Sequence, residues 1–315
     1  MASKDLPKDS CMQLDETLQR TFLPVMYGII FIVGFLGNIT CIFVYVTKMR
    51  PWKSSSMVML NLAVTDLMYV LSLPFLVLHY SRPDVLPLDN FLCYVVRVAF
   101  HFHLYASILF LTCISAFRYV AVVHPLRSAR LQQRKWGVAS CLAVWGLSAL
   151  EMHPMLDTIT LDLNGTRICP DFASSRSEKL VLYNWLLTVL GYLLPLVAVV
   201  LCYVRVARAL SAGPYPRTPS RARARRMSVA VLAVFAVNFT PYHALRMLRV
   251  YTRDSQNCTL REGANAAYIL FRPLAAFNAC LNLPLYTLAG GRLHQALCGL
   301  LPRELSNRLR LASPR

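Results

Sequence analysis

The 315-residue chain is 56% hydrophobic, and its 33 Lys and Arg against 15 Asp and Glu give a formal net charge of +18. In a soluble domain that surplus would suggest a polyanionic partner such as nucleic acid. Here the bases gather in short connections between long apolar runs, a pattern that argues against nucleic acid and for a membrane protein.

A polar stretch, residues 1–20, precedes the first run, Thr21–Thr47, which is too long for a cleaved signal sequence. The second run, Ser54–Ser81, is interrupted only by Asp66. Val98–Phe117, Trp136–Leu150, Leu180–Val204 and Met227–Leu245 follow, and the seventh, Gly263–Gly291, is broken only by Arg272. A bilayer core takes about 20 apolar residues of helix, and only helices or closed barrels satisfy their backbone inside it. The fold class expected is therefore an all-α membrane protein, a seven-transmembrane-helix bundle over residues 21–291. An N-terminal tail (1–20) precedes it, and a short interfacial helix and tail (292–315) follow.

Charge orients the bundle. The connections Lys48–Lys53, Arg118–Lys135 and Arg205–Arg226, together with the residues from Arg292 onward, hold 20 Lys and Arg and one acid, Glu304. The opposite side holds 13 basic and 13 acidic residues. Basic residues gather on the cytoplasmic face, so the N-terminus is expected outside a multi-pass plasma-membrane protein. Four cysteines, Cys11, Cys93, Cys169 and Cys258, fall on that outer side, where disulfides persist, and four allow three pairings. Cys93 at the end of the third run and Cys169 in the long loop make a natural staple, which would leave Cys11 for Cys258. Of two outer Asn-x-Thr triplets, Asn164 is the expected glycosylation site, because Asn257 adjoins Cys258. On the inner side, Ser220–Arg226 reads as a basic extension of the sixth helix toward acidic lipid headgroups. Residues 292–301 read as an interfacial helix with Cys298 placed for lipidation.

Ionisable residues within a membrane are costly and mark function by default. Asn38, Asp66, Trp145, Phe117-Arg118-Tyr119, Pro195 with Tyr203, Pro241, and Asn282 with Tyr286 are distributed along the helices, one landmark or pair to each. Together they resemble the rhodopsin-like (class A) G-protein-coupled receptors over about residues 20–300. The resemblance implies a heterotrimeric G protein docking near Arg118, Tyr119 and Tyr203, with arrestin as a further partner. It also implies a switch site in which Asp66, among Asn38, Asn278, Asn282 and Tyr286, holds an allosteric sodium ion or a proton; no other cofactor is implied. Three positions depart from the family pattern. Phe117 stands where an Asp usually partners the arginine, which implies basal activity. Phe239 stands in place of the usual Trp, and Pro284 is displaced by one residue, shifting the kink in the seventh helix.

The outer halves of the helices carry cations. Arg97, His101 and Tyr105 are spaced by four and share one helical face. His243, Arg246 and Arg249 lie on the sixth run, and Tyr268 and Arg272 on the seventh. Arg97 and Arg249 sit near enough to the membrane surface to snorkel. Arg272, two turns into an apolar run, needs an anion, either internal (Glu151 or Asp171) or a ligand. The segments Tyr27–Phe35, Lys48–Ser55, Phe100–Tyr105, Ser107–Cys113 and Arg272–Ala276, with His243-x-x-Arg246, are similar to the 2-oxoglutarate receptors, within the group of succinate and purinergic nucleotide receptors. Leu86, where those receptors carry a Trp, and the N-terminal tail depart from them. The resemblance implies a receptor for a small anionic ligand, first a dicarboxylate such as 2-oxoglutarate or itaconate, coupled to the Gq class. Arg246 and Arg272 would clamp one carboxylate, Arg97 and His101 the other, with Tyr105 supplying a hydroxyl. A nucleotide reaching Arg249 and a cysteinyl leukotriene are the alternatives. An enzyme is not expected, since no phosphate loop, metal cluster or nucleophile set is present. An anion transporter or channel is the reading from another class, and the lack of internal repeats argues against it.

Overall fold

The structure, a computed structural model, describes residues 18–82, 90–156, 161–163, 166–168, 178–211, 219–253 and 255–289. Within them the chain forms seven long helices. α1 spans Leu18–Lys48, its first turn π-helical over Leu18–Phe22. α2 spans Ser54–Ser81, α3 Asn90–Val123 and α4 Arg134–Leu156. α5 joins Glu178–Thr188 to Leu194–Ser211, and α6 joins Pro219–Val234 to Thr240–Thr252. α7 is Cys258–Ala289. A short helix, Pro125–Leu131, links α3 to α4. After α4, strands β1 (Leu161–Leu163) and β2 (Thr166–Ile168) pair antiparallel, Leu161 opposite Ile168. The helices outrun the apolar stretches that seed them, because a helix extends past the hydrocarbon wherever polar side chains can meet water.

Prolines set the irregularities. A proline ring clashes with the carbonyl four residues back, and the first segment of α2 ends at Val70, four residues before Pro74. The same rule places Gly191 before Pro195 and Val237 before Pro241. Each falls inside a π-helical turn, Val189–Leu193 in α5 and Phe235–Phe239 in α6, where the strained ladder widens. Hydroxyls add second bonds beside these prolines: Ser72 Oγ donates to the Tyr69 carbonyl at 2.7 Å and Thr240 Oγ1 to that of Phe235 at 2.9 Å, each of which also accepts a backbone N–H. The two widened turns are tied together, Tyr192 Oη lying 2.6 Å from Thr240 Oγ1.

Packing closes the bundle around α3, which contacts α2, α4 and α5, while α7 lies against α1 and α6. Five helices, α1, α2, α3, α5 and α6, are long and apolar enough to cross a membrane. The two weaker runs, α4 and α7, pack against their neighbours. The distribution of polarity is inverted relative to a protein in water. Ile32, Leu142, Leu150 and Leu194 are each about 60% exposed or more, whereas Asn38, Asp66, His101, His103 and Arg246 are 1% exposed or less. Lipid is the solvent that such a surface fits.

Candidate functional site

Two rows of side chains on α3 organise the interior. Arg97, His101 and Tyr105 form one row, spaced by four as the sequence predicts. His103 and Ser107 form a second on another face of the helix. The first row meets α5 and α6 toward the rim that carries the start of α1; the second meets α2 at mid-bundle.

Arg246 is fully buried, 0% exposed. Its Nη1 donates to Tyr105 Oη at 2.7 Å, and its Nη2 donates to Thr188 Oγ1 at 2.9 Å and to the Asn184 carbonyl at 3.4 Å. All three acceptors are neutral. An arginine has five N–H donors, so two remain, and Nε, with no partner, is one of them. Among the described residues no carboxylate lies within ion-pair reach of this guanidinium. The Tyr242 ring supports it, 5.7 Å from ring centroid to Cζ. Of the two internal counter-ions expected for Arg272, Asp171 lies outside the described residues. Glu151 sits beside Gly191, next to the Tyr105 ring, and its backbone carbonyl accepts from Tyr183 Oη.

The other cations converge on the same end of the bundle. Arg272 is 5% exposed, its Nη1 3.5 Å from Tyr80 Oη and its guanidinium 5.3 Å from the Phe100 ring centroid. Arg97 is buried one turn above His101, whose Nδ1 lies 3.0 Å from the Arg97 carbonyl oxygen. His243 is stacked flat on Tyr192 at 4.3 Å and meets Tyr105 edge-on at 6.0 Å, and neither ring nitrogen has a hydrogen-bond partner. Arg249 is half-buried against the Tyr268 ring, 4.8 Å away. All seven residues expected to bind ligand therefore line the interior of one half of the bundle. Asn184, Thr188, Tyr80, Tyr192 and Tyr242, which complete that lining, are not legible in the sequence. Asn184 and Thr188 carry one usable signal, a spacing of four.

Gly191 holds this arrangement together by having no side chain. A Cβ there would stand 2.6 Å from Tyr105 Cε1 and 2.7 Å from Cδ1, closer than van der Waals contact allows. The Gly191→Ala variant is expected to push the Tyr105 ring away, lengthen its hydrogen bond to Arg246, and weaken the response to ligand about tenfold, the worth of one charge-assisted hydrogen bond at the low end. Concentration–response curves at matched surface expression measure this. An unchanged midpoint would mean that Tyr105 does not position Arg246.

The switch residues lie deeper. Asp66 is 0% exposed, and its Oδ1 is 3.2 Å from His103 Nδ1 and 3.4 Å from Ser107 Oγ. Two of its expected companions make no hydrogen bond to it among the described residues. Asn38 Nδ2 donates to the carbonyls of Gly34 and Ala279, at 2.9 and 3.0 Å, tying α1 to α7. Asn278 is fully buried with neither amide atom bonded. The side chains of Asn282 and Tyr286 fall outside the described ones. At the opposite rim Arg118 is half-buried and lines a cavity of about 190 Å³ with Lys53, Ser55, Phe117 and Gln132, a lining without a carboxylate. Tyr203 Oη instead accepts from Ser115 Oγ at 2.9 Å, and Tyr119 Oη is 3.2 Å from His124 Nε2. Cys93 is disulfide-bonded. Its expected partner Cys169 lies outside the described residues, as do Cys11, Asn164 and Cys298, so the second pairing with Cys258 does too.

The chain matches the family model for the 7 transmembrane receptor (rhodopsin family) over residues 37–286. It is 42% identical to 2-oxoglutarate receptor 1 of Rattus norvegicus over 293 residues, covering 92% of this chain and 87% of that protein. The Mus musculus protein of the same name is 40% identical over 303 residues, 95% and 90% of the two chains. A purinoceptor of Mus musculus is 37% identical over 288 residues, 89% and 77%.

Proposed function

We propose, from the premise that this chain belongs to the rhodopsin family of seven-transmembrane receptors, that it is a plasma-membrane receptor for a small dicarboxylate. 2-Oxoglutarate is the first candidate and itaconate the second. Its family makes it a receptor that couples a small-molecule ligand to a G protein and not an enzyme. The observation that carries the ligand reading is Arg246, a guanidinium sealed from solvent whose three bonds all go to neutral oxygens. A buried cation without an anion costs several kcal/mol, and a carboxylate entering from the rim would offset that cost. Arg272, buried in the same half, completes the clamp on that carboxylate, and Arg97 with His101 supplies the contacts for the second.

Tyr105 takes a different part from a simple ligand donor. Its oxygen already accepts from Arg246, so it fixes the guanidinium and leaves its own proton for the ligand. The names of the relatives support the dicarboxylate over the nucleotide. The nucleotide reading keeps one support of its own, Arg249 held over Tyr268 toward the rim, where a phosphate chain would reach. The basic connections support an N-terminus outside the cell. Coupling to the Gq class and binding of arrestin are carried into the proposal from the resemblance of the sequence alone.

Cells expressing the chain, challenged with 2-oxoglutarate, itaconate, succinate, uridine and adenosine nucleotides and a cysteinyl leukotriene under calcium and cAMP readouts, test this directly. The expected result is a calcium response to 2-oxoglutarate or itaconate that mock-transfected cells lack. A response confined to nucleotides or to the leukotriene would overturn the dicarboxylate reading.

A further inference from the structure

The resemblance that leads to the receptor family implies a sodium ion at Asp66, and the described residues around Asp66 do not fit one. A sodium site takes oxygen donors that converge on an open centre. Here the carboxylate is met by a nitrogen of the protein itself. His103 Nδ1 stands 3.2 Å from Asp66 Oδ1, at 1% and 0% exposure, and an ionised carboxylate is only an acceptor, so against ionised Asp66 it is Nδ1 that carries the proton. Ser107 Oγ is drawn into the same cluster, 3.4 Å from Asp66 Oδ1 and 3.5 Å from His103 Nδ1. An N–H pointing at the carboxylate repels a cation there, whatever the charge on the ring.

The imidazole is also locked in place. Tyr69 of α2 stacks on it face to face, centroids 4.6 Å apart and planes within 6°, and Phe100 closes on Tyr69 from beyond at 5.8 Å. Swinging His103 aside for an ion would break that stack and leave the ring to be repacked in a close-packed interior. Of the two described amides, Asn38 is fixed by its Nδ2, which donates to backbone carbonyls of α1 and α7, and neither its Oδ1 nor that of Asn278 makes a hydrogen bond among the described residues.

We propose that in this chain the cation site of the bundle is filled by its own side chain, His103, and is closed to sodium. The charge of Asp66 is met by a hydrogen bond across α2 and α3 in place of an exchangeable ion. The contact joins two helices that pack along their length, so it also pins α3 to α2, and any rearrangement that separates them must break it.

The purified receptor melted in sodium chloride and in choline chloride at equal ionic strength provides the test. Wild type is expected to melt at the same temperature in both. His103→Asn, which replaces the ring by a shorter side chain with a carbonyl oxygen, is expected to melt lower in choline and to rise by roughly 2–4 °C in sodium, as a site gaining a ligand does. Adding Asp66→Asn to that variant should erase the rise. A sodium-specific shift in wild type would overturn the proposal without recourse to any variant. So would a His103→Asn protein indifferent to sodium, or a rise that survives Asp66→Asn, since the ion would then lie elsewhere.

Discussion

Replacing Arg246 by alanine is expected to abolish the dicarboxylate response, or to weaken it by about a hundredfold or more, while the receptor still reaches the cell surface. Each charge-assisted hydrogen bond from this guanidinium to a carboxylate contributes about 1.5–3 kcal/mol, roughly 10- to 150-fold in affinity at about 1.4 kcal/mol per decade, and a forked pair contributes more. The variant also leaves Tyr105, Thr188 and the Asn184 carbonyl without their shared donor. Those groups are neutral, and Thr188 Oγ1 already donates to the Asn184 carbonyl at 2.8 Å, so the fold should tolerate the loss. Surface immunolabelling beside calcium concentration–response curves separates the two effects. An Arg246→Ala receptor that is present at the surface and responds normally to 2-oxoglutarate would show the buried charge to be structural.

Arg272→Ala is expected to cause the second-largest loss, about 10- to 150-fold by the same reasoning. Arg272→Lys should recover only part of it. An ammonium keeps the charge but loses the planar fork, and the stacked position over Phe100 suits a flat guanidinium better than a point charge. Arg249→Ala is the informative contrast. Half-buried at the rim and held over Tyr268, it should matter little to a dicarboxylate and considerably to a nucleotide. If the Arg249 variant lost the response to 2-oxoglutarate as completely as the Arg272 variant, the ligand would have to sit higher in the bundle than proposed.

The two α3 rows are unequally legible. The row Arg97, His101, Tyr105 is visible in the sequence because three chemically suggestive residues fall at one spacing. The row His103, Ser107 obeys the same rule and lies in the same Phe100–Ser107 segment, yet it carries no signal of its own, since its meaning depends on which helix it faces. Asp66 stands out as a cost within the membrane. The sequence points for its partner to amides of α1 and α7, and the structure supplies one from α3 instead. Glu151 is a reasonable counter-ion by depth along its helix. The structure sets a carboxylate oxygen of Glu151 beside Gly191, next to the Tyr105 ring, and among the described residues it makes no ion pair with Arg246.

What the sequence by itself determined was everything governed by one-dimensional chemistry. Hydropathy marks seven spans, because lipid penalises every charge along a helix according to its depth. The prolines at 74, 195 and 241 foretell where helices must widen or break, since the clash is with a carbonyl four residues away. Tertiary structure alone decided the contacts between helices. Arg246 meets Tyr105 across 141 residues and Thr188 across 58, and Asp66 meets Ser107 across 41. Such meetings depend on the rotation of each helix about its axis. That rotation is set by close packing of whole faces, as where Gly191 lets the Tyr105 ring approach α5, and no local pattern of residues encodes it.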